Sequence, residues 1–187
     1  MTAVDRIVAQ RFVPVLRSPP DLDRIAAELV AAGVEVLEIT LDTPGAGDAI
    51  RRWRERACVI AGTVRTVADA EAAVSAGAEA VVSPVTIPEV LAFCREREVP
   101  VVPGAFTPTE VETAWQAGAS LVKLYPASLG GPDYVRSVRG PLAHVPLLVT
   151  GGVTAENARA FLAAGAVAVG ADSSRALAVW DAVRVGA

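Results

Sequence analysis

The chain has 187 residues, of which 52% are hydrophobic and 20% charged, and its formal net charge is −4. That length supports one substantial core, and the apolar content excludes a disordered chain. No basic face stands out from the acidic balance, which excludes the usual kind of nucleic-acid binder.

The N-terminal stretch MTAVDRIVAQRF lacks the apolar centre of a signal peptide, and no apolar run is long enough to span a bilayer. The expectation is a cytoplasmic protein without membrane contact, in which residues 1–11 form a helix or a lead-in. Strand and helix signals then alternate to the end of the chain. FVPVLR (12–17) precedes a helical pattern over 21–32, in which Leu22, Ile25, Leu29 and Val30 have helical spacing. VEVLEIT (34–40) precedes a helix over 46–56 that carries Arg51, Arg52, Arg54 and Arg56, read as a solvated face or a subunit contact. CVIAGTV (58–64), EAVVSP (79–84) and PVVPGAF (100–106) follow, separated by helices over 67–76 and 87–97. A helix over 108–117 leads to SLVKLYPA (120–127), one over 132–139 to VPLLVTGG (145–152), and one over 154–164 to AVAVGAD (166–172), before a last helix over 174–184. Asp21, Thr66, Thr107 and Thr154 stand where helix N-caps are favoured. Cys58 and Cys94 lack motif spacing and read as small core residues of a reducing compartment. The single histidine, His144, reads as a loop residue. A lone histidine leaves no basis for a histidine-built metal site.

Alternation of this kind implies a parallel sheet, and near-continuous apolar strands imply one covered on both faces. A phrase repeats at roughly even spacing: AAGVEVLEI, SAGAEAVVS, QAGASLVKL and AAGAVAVGA. Its glycines, Gly33, Gly77, Gly118 and Gly165, each follow a helix, where a left-handed C-cap is needed. Two βα units per repeat and four repeats give a single (β/α)8 TIM barrel spanning 1–187, with short loops because that fold usually takes about 250 residues. A doubly wound open sheet is the structural alternative. In a barrel the chemistry sits at the C-terminal strand ends. Those ends carry Arg17, Glu38, Thr40, Thr63, Arg65, Pro84, Phe106, Lys123, Tyr125, Thr150 and Ser173.

Lys123 is the only lysine in a chain that otherwise uses arginine. Side chains alternate along a strand, so Leu121, Lys123 and Tyr125 share the interior face while Val122 and Leu124 pack outward. Burial disfavours the ammonium and leaves a nucleophilic amine that can form a Schiff base with a ketone, which arginine cannot do. The other reading of a strand lysine is a buried ion pair or a side chain reaching the rim. Its being the sole lysine weighs toward chemistry. Glu38 is interior by the same alternation, which makes it a structural ion-pair partner or a general acid/base. TGGVT (150–154), a strand end followed by two glycines and a helix, has the form of a backbone anion site, to which Ser173 could add a hydroxyl.

Taken together and in order, VLEIT, AGTV, VVSP, VKLYPAS, GGPDYV and TGGV resemble the KDPG/KHG aldolases, class I aldolases acting on 2-keto-3-deoxy-6-phosphogluconate and 4-hydroxy-2-oxoglutarate. The resemblance covers roughly residues 12 to 174. It implies that Lys123 forms the Schiff base and Glu38 is the general acid/base. It further implies that Thr63 contacts the keto acid, that Pro84 and Tyr125 line the site, and that Thr150, Gly151, Gly152 and Ser173 bind substrate phosphate. It implies a homotrimer acting on a small keto acid, with no cofactor and no metal. Two positions depart from the pattern. Asp42 replaces an arginine that grips the keto-acid carboxylate in many members, leaving Arg17 or Arg65 as substitutes. Asp172 replaces a glycine beside the phosphate serine, where a carboxylate opposes phosphate unless it points away as a cap. The expected activity is cleavage of a 2-keto-3-deoxy-(phospho)sugar acid or 4-hydroxy-2-oxoglutarate to pyruvate and an aldehyde. The alternatives are a non-catalytic barrel binding a small acid or phosphate, and a thiamine-phosphate type of barrel enzyme.

Overall fold

The fifth strand of the sequence pattern is interrupted at Pro103, and the interruption marks where the sheet closes. The computed structural model of the chain describes residues 1–184; the last three residues of the expected domain, 185–187, lie outside the described residues. The strands are β1 (Phe12–Leu16), β2 (Val36–Thr40), β3 (Cys58–Gly62), β4 (Ala80–Val82), β5 (Val101–Val102), β6 (Gly104–Ala105), β7 (Val122–Leu124), β8 (Leu147–Thr150) and β9 (Ala168–Asp172). They pair in parallel in the order β5-β4-β3-β2-β1-β9-β8-β7-β6. The two ends of that order, β5 and β6, are consecutive in the chain and joined by Pro103. Proline has no N–H to give a ladder, so the strand is split there. The Pro103 carbonyl still accepts the Lys123 N–H at 2.9 Å. The result is the expected (β/α)8 barrel with strand five in two pieces; the open doubly wound sheet is excluded.

Helices α2 (Leu22–Ala31), α3 (Ala46–Trp53), α4 (Val67–Ala76), α5 (Pro88–Glu96), α6 (Pro108–Gln116), α7 (Gly131–Arg139), α8 (Ala158–Ala163) and α9 (Ala176–Arg184) follow the strands in turn. Before them, α1 (Ala3–Gln10) is started by a capping box in which Thr2 and Asp5 bond each other's backbone N–H. Asp21, Thr66 and Thr107 cap α2, α4 and α6 as expected. Thr154 does not cap α8. The helix starts one turn later, because the Asn157 carboxamide accepts the Thr154 N–H at 2.8 Å and holds residues 154–157 in a turn. The four repeat glycines adopt φ of 93°, 103°, 98° and 105°, the left-handed geometry that ends each preceding helix.

Alternation along the strands divides the core in two. Leu37, Ile39, Val122 and Leu124 join the large apolar layer between barrel and helices. Val36, Ile60, Val82, Val102, Leu121 and Leu148 fill the barrel itself. Ala3 and Ile7 of α1 pack against this inner cluster from the N-terminal end. Burying Ile7 completely contributes roughly 2 kcal/mol, so α1 is a plug rather than a lead-in. The arginines of the α3 region are answered on the surface: Arg51 by Asp48, Arg52 by Asp23, Arg54 by Glu55, and Arg56 by the Trp53 ring at 4.4 Å. His144 pairs with Glu112 at 3.1 Å. Among the described residues no helix is long and apolar enough to cross a membrane.

Candidate active site

Lys123 stands in the middle of β7, level with Gly104 on one neighbouring strand and Leu148 on the other. Glu38 stands in β2, level with Val15 and Ile60. Both side chains point into the barrel near its C-terminal end, and the Lys123 Nζ lies 3.8 Å from the Glu38 Oε1. Exposure is 6% for Lys123 and 0% for Glu38. A separation of 3.8 Å is an ion-pair distance, too long for a hydrogen bond. Among the described residues neither Glu38 oxygen has a hydrogen-bond partner, and the buried hydroxyl of Thr150 on β8 lacks one too. Buried polar atoms are normally paired, so orphans grouped around one amine mark where a ligand completes the bonding.

Small residues make the room. A side chain at Gly62 would place its Cβ 2.2 Å from the Glu38 Oε1, and one at Gly104 would meet the Pro84 carbonyl at 2.0 Å. Glycines inside strands read as close approach, so Gly62 and Gly104 carried a signal that the sequence reading left unused. Ser128 was missed as well. It follows the Tyr125–Pro126 cis peptide, donates its N–H to the Gly151 carbonyl at 2.9 Å, and packs against Gly152.

The mouth is divided by Tyr125, which is 44% exposed and has its ring centroid 5.7 Å from the Lys123 Nζ. On one side is a recess of about 160 Å³ lined by Arg17, Lys123, Thr150, Gly151, Gly152 and Asp172, among others. On the other is a recess of about 440 Å³ lined by Pro84, Thr86, Phe106 and Pro126. Phe106 is held from two directions. Its carbonyl accepts the Tyr134 hydroxyl at 2.6 Å, and its N–H donates to Glu110 at 2.8 Å. Burial pushes the Tyr134 hydroxyl up from its ordinary pKa, while backbone N–H groups of Thr107 and Phe106 hold the Glu110 carboxyl below the usual range.

Arg17 lies at the rim, where it donates to the Thr63 hydroxyl at 2.9 Å and faces Asp42 at 3.8 Å. Thr63 has φ 58°, an outlying conformation for a β-branched residue that turns the chain sharply just beyond Gly62. Arg65 is exposed and outside both recesses, with its backbone N–H on Asp69. Ser173 is half-buried in the turn after β9 and does not line the recess either. A further hollow of about 480 Å³ is lined by Arg6, Glu35, Arg54 and Glu79 at the opposite, N-terminal end of the barrel, remote from Lys123. Among the described residues the Nε of Arg6 is also unpartnered at that opposite end, but both Glu38 oxygens and the Thr150 hydroxyl are unpartnered at the Lys123 end, where the strand-end rule places the chemistry.

A buried amine beside a buried carboxylate at the mouth of such a barrel can do carbonyl chemistry: the amine adds to a ketone and the carboxylate moves protons. The family model for the KDPG and KHG aldolases matches residues 4–180. The 2-dehydro-3-deoxy-phosphogluconate aldolase of Haemophilus influenzae is 34% identical over 166 residues, covering 86% of this chain and 78% of that protein. A solved 4-hydroxy-2-oxoglutarate/2-dehydro-3-deoxyphosphogluconate aldolase superposes with a TM-score of 0.85 at 36% identity, covering 98% of this chain and 96% of the other. The KDPG aldolase of Legionella pneumophila, solved with pyruvate captured as a covalent carbinolamine, superposes with a TM-score of 0.84 at 25% identity over 99% of this chain and 98% of that one. The chain belongs to the KDPG and KHG aldolase family, which makes it a carbon–carbon lyase.

Proposed function

We propose that this aldolase works through a Schiff base on Lys123 and splits a 2-keto-4-hydroxy acid, such as a 2-keto-3-deoxysugar acid or 4-hydroxy-2-oxoglutarate, into pyruvate and an aldehyde. The observation that carries the reading is the pairing of Lys123 and Glu38 at 3.8 Å with both Glu38 oxygens unpartnered. Glu38 is the base within reach to take the proton that the lysine must shed. The neutral amine attacks the C2 ketone; the protonated Glu38 hands its proton to the new alkoxide, takes one from the nitrogen, and gives that proton to the hydroxyl, which departs as water and leaves an iminium. The carboxylate so regenerated removes the C4 hydroxyl proton. The C3–C4 electron pair moves into the iminium, the aldehyde leaves, and an enamine remains. Glu38 returns the proton to C3, and hydrolysis frees pyruvate. One carboxylate thus serves every proton transfer up to that hydrolysis.

Arg17 and Thr63 fit the keto-acid carboxylate. The Thr63 oxygen already accepts from Arg17, so its own proton is free to donate alongside the guanidinium. Asp42 faces the other terminal nitrogen of the Arg17 guanidinium at 3.8 Å and steadies it. Pro84 and Tyr125 wall the site, and Thr150, Gly151 and Gly152 border the space for the aldehyde half. Arg65 and Ser173 are assigned no direct contact in this reading.

The likeness to the family supports a homotrimer of single-domain chains, and the exposed apolar side chains Val85 and Leu129 supply surface for subunit contact. Two buried free thiols accord with a cytoplasmic setting.

Incubation with pyruvate and borohydride, followed by intact mass and peptide mapping, tests the mechanism. The expected result is one reduced pyruvyl adduct on Lys123. Turnover without any adduct, or turnover surviving Lys123→Arg, refutes it. Light scattering on the purified chain tests the trimer.

A further inference from the structure

Lys123, Arg17, Glu38, Asp42 and Asp172 gather around the smaller recess at the Lys123 end of the barrel. Glu38 answers Lys123 and Asp42 answers Arg17, each at 3.8 Å. Asp172 is the third carboxylate, and it has no cation within ion-pair distance among the described residues. It ends β9, level with Val15 of β1, and lines the same recess as Gly151 and Gly152. The backbone N–H and the hydroxyl of Ser174 both donate to its Oδ1, which fixes the group. Its Oδ2 has no hydrogen bond or ion pair among the described residues. The next cation along the chain, Arg175, lies outside the recess lining; it adds to the Thr154 hydroxyl, the main cause, in holding the Glu156 carboxyl below its usual range.

We propose that Asp172 determines specificity by selecting an aldehyde half that ends in hydroxyl rather than phosphate. The inference rests on the Schiff-base reading of Lys123 and concerns the other half of the same substrate. Once Arg17 takes the keto-acid carboxylate, no cation lining this recess remains unengaged. A phosphate monoester brings a charge of about −1.5 to −2 to a wall whose fixed ion is already negative. Like charges brought together at a contact surface disfavour that partner strongly. A sugar hydroxyl instead donates to the Asp172 carboxylate, and such charge-assisted bonds are roughly twice as strong as neutral ones. The exposed backbone of Gly151 and Gly152 can serve hydroxyls as readily as phosphate oxygens.

The test uses the whole protein in the aldol-addition direction, with pyruvate and either D-glyceraldehyde or D-glyceraldehyde 3-phosphate. The wild type is expected to favour the unphosphorylated aldehyde in kcat/KM by about tenfold or more, and Asp172→Asn to move the ratio toward the phosphorylated one by about tenfold. A wild-type preference for the phosphorylated aldehyde overturns the proposal without any variant. An unchanged ratio in Asp172→Asn also overturns it, as does pyruvate adduct formation with no turnover of either aldehyde. Borohydride trapping with pyruvate alone is run alongside and involves no aldehyde. Loss of that adduct in the wild type brings down the Schiff-base reading and this inference together, whereas an intact adduct with the wrong aldehyde preference brings down this inference alone. Adduct formation by Asp172→Asn confirms that the variant is folded; Asp172→Ser repeats the ratio with a smaller side chain.

Discussion

Gly62 lacks a side chain where Glu38 occupies the space that one would need. The Glu38 Oε1 lies 2.2 Å from the position a Cβ would take, and its Cγ and carboxyl carbon lie within 3 Å. Two strands are thus coupled across levels: Gly62 is level with Thr40, two residues beyond Glu38, and the carboxylate on β2 keeps its aim because β3 presents bare backbone there. Gly62→Ala is expected to displace Glu38 from Lys123 and lower kcat by about 100-fold, the scale of loss when a reacting group is misplaced by about an ångström. Pyruvate trapping on Lys123 is expected to persist at a lower rate. Unchanged kcat in a folded Gly62→Ala protein refutes the coupling.

Lys123 and Glu38 also depend on each other for stability. Removing one member of a buried ion pair strands the other charge, at a cost of about 3 kcal/mol, whereas replacing both is nearly neutral. Lys123→Met is therefore expected to lower the urea midpoint clearly, and Lys123→Met with Glu38→Gln to recover part of the loss, while both proteins are inactive. Additive losses in the double variant contradict the pairing.

The two cysteines are expected to be silent. Burial is the main reason the Cys58 thiol is pushed up to about 12, with nearby Glu79 adding to it, and burial pushes Cys94 up to about 11. At pH 8 neither offers thiolate to an aromatic disulfide reagent. The native protein is expected to release no colour over minutes and the denatured protein two equivalents. Rapid reaction of the native protein points to local opening of β3 or α5.

Glu110 gives a pH dependence with a definite sign. Its folded carboxyl is held below its unfolded value by the Thr107 and Phe106 N–H groups. Its contribution is therefore complete above the unfolded value, about 4.3, and is lost as pH falls through the folded value. Glu110→Gln is expected to cost roughly 0.5 kcal/mol near pH 7, with the difference vanishing in acid. A gap that stays constant down to pH 3 shows that charge plays no part.

Legibility in the sequence followed the range of the interactions. The order of strands and helices, the left-handed turns at the four repeated glycines, and the inward aim of Glu38 and Lys123 all arise from neighbours a few residues apart. Period-two alternation reported them faithfully. The start of α8 is also local, but Thr154 and Asn157 are rival cap residues three positions apart, and the choice lies in how the turn after Gly152 packs. The break at Pro103 was visible as a proline inside a strand pattern, yet its consequence required knowing that β4 and β7 flank it. The Arg17–Thr63 and Arg17–Asp42 contacts and the clearance at Gly62 join residues far apart in sequence, and only the closed barrel brings them together. Arg17 and Arg65 were equal candidates by position; strand register and the turn at Thr63 separate them.

Helix α1, with Ala3 and Ile7 seated beneath the inner apolar cluster, makes the barrel a vessel with one door. In the proposed reaction substrate enters and both products leave past Tyr125, which borders both recesses. The fragment tethered to Lys123 lies deepest, so traffic is last in, first out: the aldehyde departs while pyruvate is still attached. In the cleavage direction the kinetics are accordingly ordered, with pyruvate the second product released. In synthesis the vessel must be loaded with pyruvate first, so an excess of aldehyde alone is expected to block the doorway rather than speed the reaction.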